Sequence, residues 1–174
     1  MYKEFFDGPE ITLMEMLDAR EKRVKIQQDK LIKHPDYSLL SVAMNIPGPV
    51  KNSKQISQVF QEFINIIENQ LSPKKSRITF EKTGPQYFAM YEMAAIELKK
   101  IMIEFEESFA IGRLFDLDVL YSENGKIKQI SRSDLGLPQR KCLICDKPAK
   151  ECGRNRTHTI EEMQKKIIEI LEKD

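Results

Sequence analysis

Two carboxylates separated by one residue, Asp116-Leu117-Asp118, are the side chains in this 174-residue sequence best spaced for chemistry. They lie in the segment Gly112-Arg-Leu-Phe-Asp-Leu-Asp-Val119, whose alternation of apolar and polar residues predicts a strand. Successive side chains of a strand face opposite ways, so Phe115, Leu117, Val119 and Tyr121 share one face and the two aspartates share the other. Like charges that close raise each other's pKa unless a cation neutralises them. A pair of oxygen ligands suits Mg²⁺, which also takes phosphate oxygens. That is the metal clamp of phosphoryl and nucleotidyl transfer. The plain alternative is an exposed strand face carrying two solvated aspartates, and an Asp-x-Asp triplet alone does not separate the two.

The surroundings of the pair favour an anionic ligand. Gly112 and Arg113 lead into the strand, and Arg132 follows it closely. From Gln139 to His158 the cations Arg140, Lys141, Lys147, Lys150, Arg154 and Arg156 face only Asp146 and Glu151. Guanidinium groups bind phosphate oxygens through paired hydrogen bonds, so polyphosphate fits such a stretch, although basic runs are also common as solvated loops. The same stretch holds Cys142-x-x-Cys145, then Cys152 and His158, four donors of the kind that close a tetrahedral zinc site. Its spacing departs from the usual zinc-binding patterns, and three reduced cysteines packed in a loop are the alternative.

The whole chain sets bounds on these readings. A length of 174 residues suits one domain spanning 1–174 with a sizeable core. A formal net charge of +1 gives no reason to expect nucleic acid or an anionic membrane surface as partner. The mixed charges of the N-terminus and the lack of a long apolar run predict a cytoplasmic protein with neither signal peptide nor membrane span. Three clustered cysteines fit a reducing compartment.

The elements that must position the candidate residues follow from periodicity. Thr12 and Glu15 form a capping box for a helix over about 12–33, with Leu13, Leu17, Val24 and Leu31 toward the core and Arg20 and Gln27 snorkelling outward beside them. Tyr37 to Ile46 reads as a buried strand stopped by Pro47-Gly48-Pro49. Ser53 caps a second helix whose apolar face runs from Ile56 to Ile67. A strand over 77–83 ends at Gly84-Pro85, and a third helix carries Ala94, Leu98, Ile101, Met102 and Phe105. Asn124-Gly125 predicts a type I′ hairpin pairing 114–122 with 126–130. Thr159 and Glu162 cap a last helix built on Ile160, Met163, Ile167, Ile170 and Leu171, and 139–158 reads as irregular. The expected fold is therefore α+β, with a mixed or antiparallel sheet, a β-hairpin in the C-terminal half and about four helices.

Four blocks, in order along nearly the whole chain, carry a likeness: Ala19-Arg-Glu-Lys-Arg23, Asn45-Ile-Pro-Gly-Pro-Val-Lys51, Gly112 to Val119, and Leu135-Gly-Leu-Pro-Gln-Arg-Lys-Cys142 through His158. Together they resemble the CitX family of apo-citrate lyase phosphoribosyl-dephospho-CoA transferases, also called citrate lyase holo-acyl-carrier-protein synthases. The resemblance implies attack by a serine hydroxyl of the citrate lyase acyl-carrier (gamma) subunit on the α-phosphate of 2′-(5″-triphosphoribosyl)-3′-dephospho-CoA, with loss of pyrophosphate. The related malonate decarboxylase enzymes share the Asp-x-Asp motif and imply a nucleotidyltransferase-like fold, although the Gly-Ser element usual before such a pair has no close match here. Under this reading Asp116 and Asp118 hold Mg²⁺, and Arg113, Arg132, Arg140 and Arg154 contact phosphate. Two alternatives stand beside it. One is the same chemistry on the malonate decarboxylase carrier, and the other is a non-catalytic protein-binding module stapled by zinc at Cys142, Cys145, Cys152 and His158.

Overall fold

The computed structural model describes residues 2–173. Its centre is a five-stranded antiparallel sheet of β1 (Ser38–Met44), β2 (Lys75–Glu81), β3 (Gly84–Tyr91), β4 (Phe115–Glu123) and β5 (Lys126–Ile130), in the order β2-β3-β1-β4-β5. Four long helices, α2 (Leu13–Lys33), α3 (Lys54–Gln70), α4 (Ala95–Ser108) and α6 (Ile160–Leu171), accompany it, with two short ones, α1 (Tyr2–Phe5) and α5 (Ala149–Asn155). The α+β class and the hairpin are as the sequence predicts. Asn124 and Gly125 adopt φ of 52° and 73°, the positive pair that a type I′ turn needs, and Glu123 pairs with Lys126 across them. No helix among the described residues is long and apolar enough to cross a membrane.

One face of the sheet buries Leu40, Val42, Ala89, Phe115, Leu117 and Val119 under α3 and α4. Phe115 lies against Phe63 with ring centroids 4.1 Å apart, which fixes the start of β4 against α3. Just before it, residues 110–114 make a 3₁₀ turn in which Gly112 sits against the backbone of α4. The loop after β1 is held as well: Asn45 N–H donates to Leu114 O at 2.9 Å, and Gln164 Nε2 donates to Pro47 O at 3.1 Å, tying the Pro47-Gly48-Pro49 turn to α6.

The opposite face corrects two expectations. The α2 capping box forms, with Glu15 N–H donating to Thr12 Oγ1 and Thr12 N–H to Glu15 Oε2. The helix, however, presents a different side. Leu13 is 75% exposed and Leu17 and Val24 are also open to water, whereas Gln27 is buried beside Leu31. The reason lies in the surface it covers. Leu31 packs on Leu39, Phe88, Met90 and Leu120, but further along the same sheet face come Ser41, Gln86, Asp116 and Asp118, which a leucine stripe could not satisfy. Gln27 instead donates to Ser41 Oγ at 2.9 Å and Arg23 Nε to Gln86 Oε1 at 3.2 Å.

The second correction concerns Gly84-Pro85, which opens β3; the strand expected over 77–83 is β2, and it ends at Glu81. Lys82-Thr83 is the turn of a β2–β3 hairpin, and Gly84 enters β3 at φ 114°, a conformation favouring glycine. Pro85 lies one residue beyond the last β1–β3 pair, so β1 requires no hydrogen bond from it. Within the stretch expected to be irregular, α5 forms and turns Cys152 inward.

The packing around Gly112 gives a direct test. A Cβ there would come within 2.6 Å of Phe105 O and 3.0 Å of Glu106 O, both backbone atoms. Gly112→Ala should therefore lower stability by about 1–3 kcal/mol in urea denaturation, as overpacking of a tight contact does, and an unchanged midpoint would contradict the close approach.

Candidate functional site

The β4–β5 ladder starts at Val119, so Phe115 to Asp118 have β1 on one side and no strand on the other. The carbonyls of Phe115 and Leu117 point to that open edge and are satisfied by side chains. Arg140 Nη1 donates to Phe115 O at 3.0 Å and Lys99 Nζ to Leu117 O at 2.8 Å. Because β5 is absent here, the two aspartates stand at the border of a cavity instead of between two strands.

Arg140 is the hub of this edge. It donates to Arg113 O, its Nη1 lies 3.3 Å from Asp116 Oδ1, and its Nε lies 3.1 Å from Glu106 Oε1. The same Glu106 oxygen takes Arg132 Nη2 at 3.0 Å, and Arg132 also meets Glu107 at 3.1 Å. Arg113 Nη2 donates to Cys142 O at 2.9 Å and Lys141 O at 3.1 Å. Three of the four arginines expected to contact phosphate are thus gathered beside the aspartates, each holding protein acceptors. Arg154 is exposed on α5 and does not line the cavity.

Asp118 Oδ1 accepts from Gln129 Nε2 at 2.7 Å. The Asp116 side chain is half accessible by area yet closely surrounded by protein, and this enclosure counts for its ionisation. Desolvation pushes both carboxyls above the usual range, and Asp116 raises Asp118 further, while Arg140, Arg23 and Lys99 oppose the rise. The positions are those at which a bound cation would favour the doubly ionised state.

The cavity measures about 1110 Å³ and extends from the aspartates past Arg132 to the cysteine loop and the start of α6. That exceeds a usual drug-sized pocket and suits a large, extended ligand. Its far wall is a tight loop in which Cys142 N–H donates to Lys147 O and Ala149 N–H to Arg140 O, each at 2.8 Å. The loop brings Cys142, Cys145, Cys152 and His158 together with all four ligand atoms within 4.8 Å of one another. Cys145 Sγ is 3.5 Å from Cys152 Sγ and 3.4 Å from His158 Nε2. Tetrahedral zinc bonds of about 2.3 Å to sulfur and 2.0 Å to nitrogen separate neighbouring ligands by roughly 3.5–3.8 Å, so the donor set fits. The cluster could bind a metal such as zinc.

Sequence periodicity missed Lys99, Glu106, Gln129 and Arg23. Lys99 and Glu106 fall on one line of α4 with Met102 and Ile103, and that placement of charges beside buried residues was the available signal.

Comparison with known proteins places this geometry in context. The family model described as apo-citrate lyase phosphoribosyl-dephospho-CoA transferase, CitX, matches residues 11–174. The chain belongs to this family. Among the relatives that this chain resembles, a "probable apo-citrate lyase phosphoribosyl-dephospho-CoA transferase" of Streptococcus pyogenes serotype M18 (strain MGAS8232) is 44% identical, with 96% of this chain and 88% of the relative covered. A protein of the same printed name from Vibrio cholerae serotype O1 (strain M66-2) is 35% identical, over 92% of this chain and 91% of its own. Protein CitXG of Leuconostoc mesenteroides subsp. cremoris is 38% identical over 97% of this chain, which corresponds to 37% of that longer protein. The family match contains the aspartates, the arginine hub and the cysteine loop, and begins after residue 10.

Glu106 joins two of the arginines while its own side chain is only 10% exposed. Glu106→Gln should reduce stability by about 1–3 kcal/mol in chemical denaturation, because Arg132 and Arg140 lose a shared charged acceptor. A variant as stable as the parent would show that the hub does not depend on it.

Proposed function

We propose that this chain transfers the 5-phosphoribosyl-dephospho-CoA group of 2′-(5″-triphosphoribosyl)-3′-dephospho-CoA to a serine of the acyl-carrier (gamma) subunit of apo-citrate lyase, as a nucleotidyltransferase-type transferase. The observation that carries the reading is the aspartate pair at the border of a cavity of about 1110 Å³, in a chain of the CitX family. In the reaction the serine oxygen forms a bond to the α-phosphorus. The bond from that phosphorus to the bridging oxygen breaks, its electron pair leaves with pyrophosphate, and the serine proton passes to solvent or buffer base.

Asp116 and Asp118 would hold Mg²⁺, and the crowding of two partly desolvated carboxylates supports that assignment. When bound, Mg²⁺ neutralises phosphate charge and lowers the cost of its redistribution. The chain's own residues supply position. Gln129 steadies Asp118, Arg140 steadies Asp116, and the Phe115 anchor keeps the strand in place. Arg113, Arg132 and Arg140 bring positive charge to the cavity border, and Arg154 adds to the basic outer surface. Little covalent work is asked of such a site, since holding an attack in line supplies much of the rate.

Cys142, Cys145, Cys152 and His158 would hold Zn²⁺ as a closed structural site. Four protein donors leave no open position for a reacting water, so this ion would shape the cavity wall and stay out of the chemistry.

Two measurements test these assignments. Asp118→Asn should keep the parent's circular dichroism while lowering carrier modification at least about a hundredfold, as loss of a transition-state charge ligand does; activity within a few fold of the parent would remove the aspartate assignment. Protein purified without chelator should contain one zinc per chain, and Cys145→Ser should reduce both the zinc content and the melting temperature. Absence of zinc in metal analysis would contradict the staple.

A further inference from the structure

The side chains nearest the aspartates on the cavity side already hold protein acceptors, which leaves open what neutralises the far end of a triphosphate. The answer lies on the sheet face beneath α2. In register, Gln86 of β3, Ala43 of β1 and Asp116 of β4 form one row across that face, and Phe88, Ser41 and Asp118 form the next. Arg23 descends from α2 onto the first row. Its Nε donates to Gln86 Oε1 at 3.2 Å, and its Nη1 and Nη2 carry no hydrogen bond among the described residues. The small Ala43 between the two polar positions gives the guanidinium room.

Two more cations come from neighbouring elements: Arg20 lies one turn earlier on α2, and Lys51, in the loop after β1, sits beside Gly84, two residues before Gln86 on β3, with its Nζ donating to Ile46 O. Arg20 repels the charges of both Arg23 and Lys51, while the opposing charges that Arg23 feels are those of Asp118 and Asp116. Among the described residues no carboxylate lies within 4.0 Å of any of the three, unlike Arg132 and Arg140, which meet Glu106. None of the three lines the large cavity, whereas both aspartates do. Cations without a close ion-pair partner repel one another, with only the two aspartates at longer range to offset the repulsion for Arg23, and a bound polyanion relieves it.

We infer that Arg20, Arg23 and Lys51 form an anion site on the α2 flank of the aspartate pair, and that it takes the pyrophosphate end of the substrate and holds it as it leaves. The inference rests on the transferase reading above for the identity of the anion. It divides the substrate between two sites. The bulky dephospho-CoA body occupies the cavity, the α-phosphate lies at the aspartates, and the β- and γ-phosphates extend under α2. The helix then serves as a phosphate-binding wall in addition to covering the polar end of the sheet.

Calorimetric titration of the full chain with inorganic pyrophosphate in excess Mg²⁺, and separately with 3′-dephospho-CoA, tests this. Arg23→Gln and Lys51→Gln should each weaken pyrophosphate binding about tenfold, the loss expected for one charge-assisted contact, with dephospho-CoA binding held within about twofold. Arg23→Lys, which keeps the charge, should restore much of the affinity, and melting temperature reports that each variant is folded. Pyrophosphate affinity unmoved by these substitutions, or weakened instead by Arg156→Gln on the cavity wall, would overturn the inference. Wild-type protein that binds pyrophosphate through Arg23 and Lys51 yet modifies no carrier would keep the anion site and contradict the proposed function. Carrier modification with pyrophosphate affinity unchanged by the substitutions would do the reverse.

Discussion

Burial of Phe115, Leu117 and Val119 under α3 and α4 is the constraint on which the site depends. Once these three side chains are committed to the core, the twofold alternation of a strand leaves Asp116 and Asp118 no choice but the other face. The stacking of Phe115 on Phe63 and the close seat of Gly112 on α4 fix where along the sheet the pair emerges. Each apolar residue fully buried there contributes roughly 1.5–3 kcal/mol, so the aspartates are held by contacts that they do not themselves make. Desolvating two like charges side by side opposes this arrangement, and nearby cations offset it.

The second determinant is the early end of β5. Had its ladder continued to Phe115, the carbonyls now taken by Arg140 and Lys99 would be paired with a strand and the cavity would be closed. The open edge instead recruits side chains from α4 and from the loop after β5, and Glu106 joins them. That loop continues into the Cys/His cluster, so one uninterrupted segment forms both the hub beside the aspartates and the far wall of the cavity. A metal at the cluster would then influence ligand binding through the shape of the wall.

Much of this was legible in the sequence, for reasons that differ from residue to residue. The β4 alternation and the Asn124-Gly125 turn are local signals, and local geometry decided both. The cysteines and His158 could be grouped by residue type, although their convergence needed the Lys141 to Pro148 loop and α5, neither of which has a periodic signature. β3 was hidden because a strand buried on both faces lacks alternation, and Gly84-Pro85 reads as a stop when it is in fact a start. The inner side of α2 departs from its apolar periodicity because periodicity assumes an apolar partner, whereas the sheet beneath is polar at that end. Lys99 and Glu106 escaped notice because their role is set by an open strand edge that only the assembled sheet defines.

The central claim joins this geometry to one reaction, and mass spectrometry of the carrier tests it most directly. Apo-citrate lyase acyl-carrier subunit incubated with the wild-type chain, 2′-(5″-triphosphoribosyl)-3′-dephospho-CoA and Mg²⁺ should gain the mass of one phosphoribosyl-dephospho-CoA group on a serine, with one pyrophosphate released per carrier modified. A carrier of unchanged mass, or a mass gain without released pyrophosphate, would contradict the account.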